Sequence, residues 1–111
     1  TDICIGTDSF HTPDRLGRAA VSAFGDLGWR VELNRPHAGS IVPMNCYQQD
    51  GRVQSVMVEV NRGLYMDETA GKRLPQFDEV CERVQVALRR LVGSVSWQHG
   101  GRMSPSAPSG S

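Results

Sequence analysis

The tightest constraint on this chain is a strand–helix–strand succession at its start. Asp2 to Thr7 reads as a short buried strand, Ile3-Cys4-Ile5, stopped by Gly6, a residue that permits a tight exit or the close approach of another group. A helix signal follows. Thr12 can cap, Pro13 suits the first helical position and Asp14 complements the dipole. Leu16, Ala19, Ala20, Ala23, Phe24 and Leu27 recur at helical spacing, and Gly28 is placed to end the element. Gly17 and Gly25 weaken it, each by about 1 kcal/mol against alanine. Trp29, Val31 and Leu33 then alternate with polar residues, as a half-exposed strand does.

Beyond this unit, Asn34 to Pro43 carries two prolines and Gly39 and reads as loop, and Asp50-Gly51 marks a turn. Residues 53–60 follow as a strand whose apolar half is too continuous for a one-sided surface strand, so a central position is expected. Glu59 lies inside that apolar stretch. A second amphipathic helix is expected from near Pro75, with Phe77, Val80, Cys81, Val84, Leu88, Leu91 and Val92 on one stripe and Gly93 as its stop. From Gly100 onward the chain is rich in Gly, Pro and Ser and has nothing with which to form a core. One domain over residues 1–92 and a disordered tail over 93–111 are expected. No internal repeat is present. The element order predicts an α/β layered architecture, a largely parallel or mixed sheet with flanking helices.

The 111 residues suffice for one core, and 12 basic against 12 acidic side chains give no field that would favour nucleic acid or an anionic membrane. No apolar run approaches the roughly 20 residues of a spanning helix. Cys4, Cys46 and Cys81 are widely spaced and odd in number, and they fall in or beside apolar segments. They read as small buried hydrophobes in a reducing, cytoplasmic setting rather than as a disulfide framework. A strand pattern at residue 1, with no cap or turn before it, is expected of a piece cut from something longer.

Glu59 is the sharpest chemical candidate. Met57, Glu59 and Asn61 share one strand face near the strand's C-terminal end, where open α/β sheets usually bind ligands. A carboxylate there suits a general base that later acts as acid, or it is the partner of Arg62. Arg62 carries a planar fork suited to a substrate carboxylate, or it binds Glu59. Tyr65, Asp67 and Glu68 read better as a packed tyrosine and a solvated acidic turn. The loop from Asn34 to Gly39 has polar groups that could line a pocket, though His37 alone is weak as a metal ligand because no second histidine lies at ligand spacing. Gly6 to His11 offers hydroxyl and backbone groups to a substrate, or is a plain strand exit. No phosphate loop, paired-cysteine motif, H-E-x-x-H or G-x-S-x-G occurs.

Three segments, taken together, resemble the N-formylglutamate amidohydrolase family. They are Asp2-Ile3-Cys4-Ile5-Gly6-Thr7-Asp8, Asn34-Arg35-Pro36-His37-Ala38-Gly39, and the run from Val58-Glu59-Val60-Asn61-Arg62 through Gly63-Leu64-Tyr65-Met66-Asp67-Glu68. The resemblance covers roughly residues 2–92. It implies a fold related to zinc carboxypeptidases (phosphorylase/hydrolase-like), here as a partial domain. It also implies hydrolysis of N-formyl-L-glutamate to L-glutamate and formate, a step of histidine degradation. Glu59 resembles the glutamate that activates zinc-bound water, and Arg62, Asn61, Asn34 and Thr7 resemble substrate-binding residues. Zinc lowers the pKa of its bound water toward about 7 and polarises the formyl carbonyl.

This chain departs from the family pattern in two respects. The zinc ligands are expected upstream of the segment matching Asp2, and His37 stands where the family more often has an aromatic residue. The resemblance thus implies an enzyme acting on a small molecule as part of a longer chain, inactive in isolation. The other function class is a non-catalytic remnant or binding module that keeps the fold without the metal site.

Overall fold

Ile3 and Ile5, both without exposed surface, form the centre of the core, because their strand lies between two others. In the computed structural model, which describes residues 1–100 with side chains to Ser94, β1 (Ile3–Gly6) is flanked by β2 (Val31–Leu33) and β3 (Met57–Val60). β1 runs parallel to β2, with Ile3 opposite Val31 and Ile5 opposite Leu33. It runs antiparallel to β3, with Ile3 opposite Val60 and Cys4 opposite Glu59. The sheet is mixed, as the element order predicts.

Helix α1 (Asp14–Gly25) joins β1 to β2 and buries Leu16, Gly17, Ala20, Ala23 and Phe24. All of these but Gly17 form one cluster with Ile3, Ile5, Trp29 and the buried stripe of α2 (Phe77–Gly100), namely Val80, Ala87 and Leu91. Apolar area removed from water is the main favourable term for so small a sheet, at about 25 cal/mol per Å². Both helices thus share the cluster that Ile3 and Ile5 enter. The alternate residues of β1 and its neighbours form the opposite face, where Glu32, Cys4 and Glu59 stand in register across the strands.

Several sequence expectations are corrected here. β3 is an edge strand among the described residues, not a central one, and residues 53–56 do not belong to it. They are drawn instead to the turn before α1, where Ser55 N donates to His11 O, and Thr12 Oγ1 to Ser55 O. That engagement also removes Thr12 from the capping role. Pro13 occupies the cap without a side-chain hydrogen bond, and its carbonyl accepts from Leu16 and Gly17. Helix α2 runs past Gly93 to Gly100, since one glycine costs a helix only about 1 kcal/mol and no proline follows to stop it before that point. Its expected stripe is split: Cys81 is exposed, and so are Leu88 and Val92. The tail expected over 93–111 is therefore helical as far as Gly100, and from residue 101 onward it lies outside the described residues.

After β3 a 3-10 turn, Arg62–Leu64, leads into a hairpin of β4 (Met66–Asp67) and β5 (Lys72–Arg73). Tyr65 packs edge-on against Phe77, and Asp67 accepts from Thr69 N and Ala70 N, the packed tyrosine and acidic turn expected of this segment. At the Asp50 turn, the side-chain hydrogen bond from Arg52 holds the Asp50 carboxyl down to about 2.

His11 is fully buried and satisfied at both ring nitrogens. Gln48 N donates to Nε2 at 2.9 Å, so Nδ1 carries the proton donated to Val53 O at 2.7 Å. The histidine is thus a peg that fastens residues 48–53 to the exit of β1, which is the plain reading of that segment. His11→Ala is expected to lower unfolding free energy by about 2–4 kcal/mol, because it strands two backbone groups and leaves a cavity. Urea denaturation checks this, and a loss under about 0.5 kcal/mol would remove the peg from the account.

Candidate functional site

The open face of the sheet is where the polar candidates gather, and the loop after β2 defines its roof. That loop leaves at Asn34, whose backbone adopts φ +60°. Asn34 N donates to Ile5 O, Asn34 Oδ1 accepts from Thr7 N at 2.8 Å, and Asn34 Nδ2 donates to Thr7 Oγ1 at 2.9 Å. Asn34 and Thr7 therefore clamp the C-terminal ends of β1 and β2 together. The loop then passes over Cys4, whose thiol donates to His37 O at 3.3 Å, and returns with Gly39 N donating to Thr7 O. Gly6 is what lets it lie so close. A Cβ at Gly6 would sit 2.5 Å from Gly39 O and equally near the end of the Met57 side chain.

Glu59 stands beside Cys4 on β3, and its carboxylate oxygen Oε1 lies 2.9 Å from His37 Nδ1. This is an ion pair when the ring is protonated and a hydrogen bond otherwise. Among the described residues, Glu59 is not paired with Arg62. Arg62 is exposed in the 3-10 turn, and the sequence reading that joined them gives way to the His37 contact. Asn61 shapes that turn: Oδ1 accepts from Gly63 N and Nδ2 donates to Thr1 O. A cavity of about 200 Å³ opens here, lined by Cys4, Pro36, His37, Glu59 and Asn61 among others.

The candidates thus fall into two groups. Glu59 and Asn61 line the cavity, with Arg62 next in the chain. Thr7 and Asn34 lie about 10 Å further along β1, taking about 3.3 Å per residue from Cys4 to Thr7. The reason is topological. β3 runs against β1 and β2, so its C-terminal end does not coincide with theirs. A larger groove of about 510 Å³ lies between α1 and β2, but it is mostly apolar and contains Thr7 and not Glu59, so the smaller cavity is the better site on chemical grounds.

Sequence reasoning passed over Cys4, Glu32 and the backbone of His37 as parts of this face. The alternation of Trp29, Val31 and Leu33 already places Glu32 on the other side of its strand, but the register that aligns it with Cys4 and Glu59 needs the pairing of all three strands. Among the described residues no group of three His, Cys, Asp or Glu side chains is disposed to hold a metal ion. No described helix is long and apolar enough to cross a membrane.

Comparison with known proteins gives two findings. A family model described as N-formylglutamate amidohydrolase matches residues 1–66. The fold is similar to the crystal structure of N-formylglutamate amidohydrolase from Ralstonia eutropha JMP134, with a TM-score of 0.64 and 20% sequence identity over 88% of this chain. The match spans 35% of that protein's length, so the chain corresponds to about a third of it. No curated protein matches the sequence significantly.

Proposed function

The chain belongs to the N-formylglutamate amidohydrolase family, and we propose that it supplies the proton-handling carboxylate and part of the substrate cleft for hydrolysis of N-formyl-L-glutamate to L-glutamate and formate, a step of histidine degradation. The single observation that supports this reading most is the placement of Glu59 on the open sheet face. There one oxygen is engaged by His37 and the cavity lies alongside. In the proposed reaction Glu59 takes a proton from the water whose oxygen adds to the formyl carbon. It then gives that proton to the amide nitrogen as the C–N bond breaks, releasing formate and the amino group of glutamate.

Arg62, exposed beside the cavity, is the proposed holder of a substrate carboxylate, presented by the turn that Asn61 caps. Thr7 and Asn34 hold one another, yet each keeps one proton to offer: the Thr7 hydroxyl hydrogen and the second amide hydrogen of Asn34. The zinc-carboxypeptidase-like layering and a reducing, cytoplasmic setting are parts of the same proposal, the latter in keeping with three free cysteines. So is the absence of a nucleic-acid or membrane partner, in keeping with the balanced charge.

Zinc is a different matter. A hydrolytic zinc takes about three protein ligands and an open position. The described residues do not offer that donor set. The 111-residue chain with added zinc is therefore expected to bind the ion weakly and to release no formate from N-formyl-L-glutamate. Stoichiometric tight zinc by mass spectrometry, together with formate release, would overturn this. The second reading is a non-catalytic module that keeps the fold without the metal site. Sequencing the reading frame upstream separates the two: a histidine- and acid-containing segment ending in a strand before Thr1 supports the hydrolase, and its absence supports the module.

A further inference from the structure

We propose that His37 is a positioning residue for Glu59, and that Cys4 in turn positions His37, an assignment that gives the proposed general base a fixed orientation and so rests on that reading. Three contacts close a ring. Cys4 and Glu59 are cross-strand partners, Cys4 Sγ donates to the His37 carbonyl at 3.3 Å, and the His37 ring reaches back to Glu59 Oε1 at 2.9 Å.

The backbone around His37 is pinned as well. Asn34 holds the loop to Thr7 on one side and Gly39 holds it to Thr7 on the other, with Gly6 leaving the space beneath. This matters because His37 and Glu59 are 64% and 43% exposed, and a free surface pair of that kind contributes little. Here the loop is already ordered, so less side-chain and backbone freedom remains to be lost in forming the contact.

The geometry assigns the tautomer. A carboxylate only accepts, so Nδ1 carries the proton and Nε2 is left as the acceptor nitrogen. With Oε1 engaged, Oε2 is the oxygen left to take a proton. Asp2, the other carboxylate lining the cavity, accepts from Arg30 N through Oδ2, and the ring's contact is with Glu59.

The test is the tautomer of His37 in the 111-residue chain, read from long-range proton–nitrogen NMR spectra at a pH where the ring is neutral. The expected result is a protonated Nδ1. Glu59→Gln should preserve it, since the amide oxygen still accepts. Glu59→Leu should return the ring to the Nε2–H form that unconstrained imidazole prefers. Cys4→Ala should give a mixture of the two.

A wild-type ring in the Nε2–H form, or one indifferent to Glu59→Leu, overturns the proposal. In the zinc-loaded longer protein, His37→Phe should lower kcat about ten-fold with KM little changed, the worth of roughly one hydrogen bond. His37→Asn, whose amide nitrogen takes the place of Nδ1, should recover most of it. An unchanged kcat in His37→Phe also counts against positioning. Failure of the wild-type protein to hydrolyse any N-formylglutamate sinks the hydrolase reading instead, and leaves the tautomer measurement to decide the contact.

Discussion

Phe24→Ala should remove about 3–5 kcal/mol of stability, the range for emptying a fully buried aromatic site. Phe24 has no exposed surface and lies at the end of a three-part stack. Its ring faces Trp29 at 6.1 Å between centroids, and the Arg83 guanidinium sits 4.3 Å over the Trp29 ring. Arg83 also donates to Leu27 O just past the end of α1. The stack therefore ties α1, the approach to β2 and α2 to one another, and truncating its innermost member loosens all three.

Small domains have only roughly 5–15 kcal/mol in total, so a large share of the folded population is at stake. Phe10→Ala, on a ring that is 44% exposed, is the matched control and should cost under about 1 kcal/mol. Urea denaturation of both variants checks the claim. A Phe24→Ala loss no larger than that of Phe10→Ala would mean that the core is not where the burial places it.

The parts of this fold that were legible in the sequence are those written by local periodicity. The α1 stripe from Leu16 to Phe24 packs as its spacing indicates, and Gly6 has the close neighbour its lack of a side chain allows. The shared face of Met57 and Glu59 follows from strand alternation alone: Met57 lies against Gly6 and Glu59 beside Cys4. What local pattern does not carry is partner choice.

Continuous apolar character made residues 53–60 look central. Yet residues 53–56 find hydrogen bonds with His11 and Thr12 instead of a strand, and β3 ends as an edge. The antiparallel direction of β3 was equally invisible, and it separates Glu59 from Thr7 and Asn34. The His37–Glu59 contact joins residues 22 apart through a loop whose path depends on Gly6, Cys4 and Thr7 together. Nothing in the spacing of His37 announces it.

The proposed hydrolysis turns on Glu59, and the measurement that tests it most directly is kcat per folded enzyme for Glu59→Gln in a longer protein that contains this chain together with the proposed zinc site, taken alongside thermal stability. The amide is nearly isosteric, keeps an oxygen for the His37 hydrogen bond and leaves β3 paired with β1, so stability should change little. It cannot take the proton of the attacking water. General acid–base contributions set the expected loss at about 10²–10⁴-fold in kcat. Near-normal turnover in the folded variant would contradict the account and leave Glu59 as no more than the surface partner of His37.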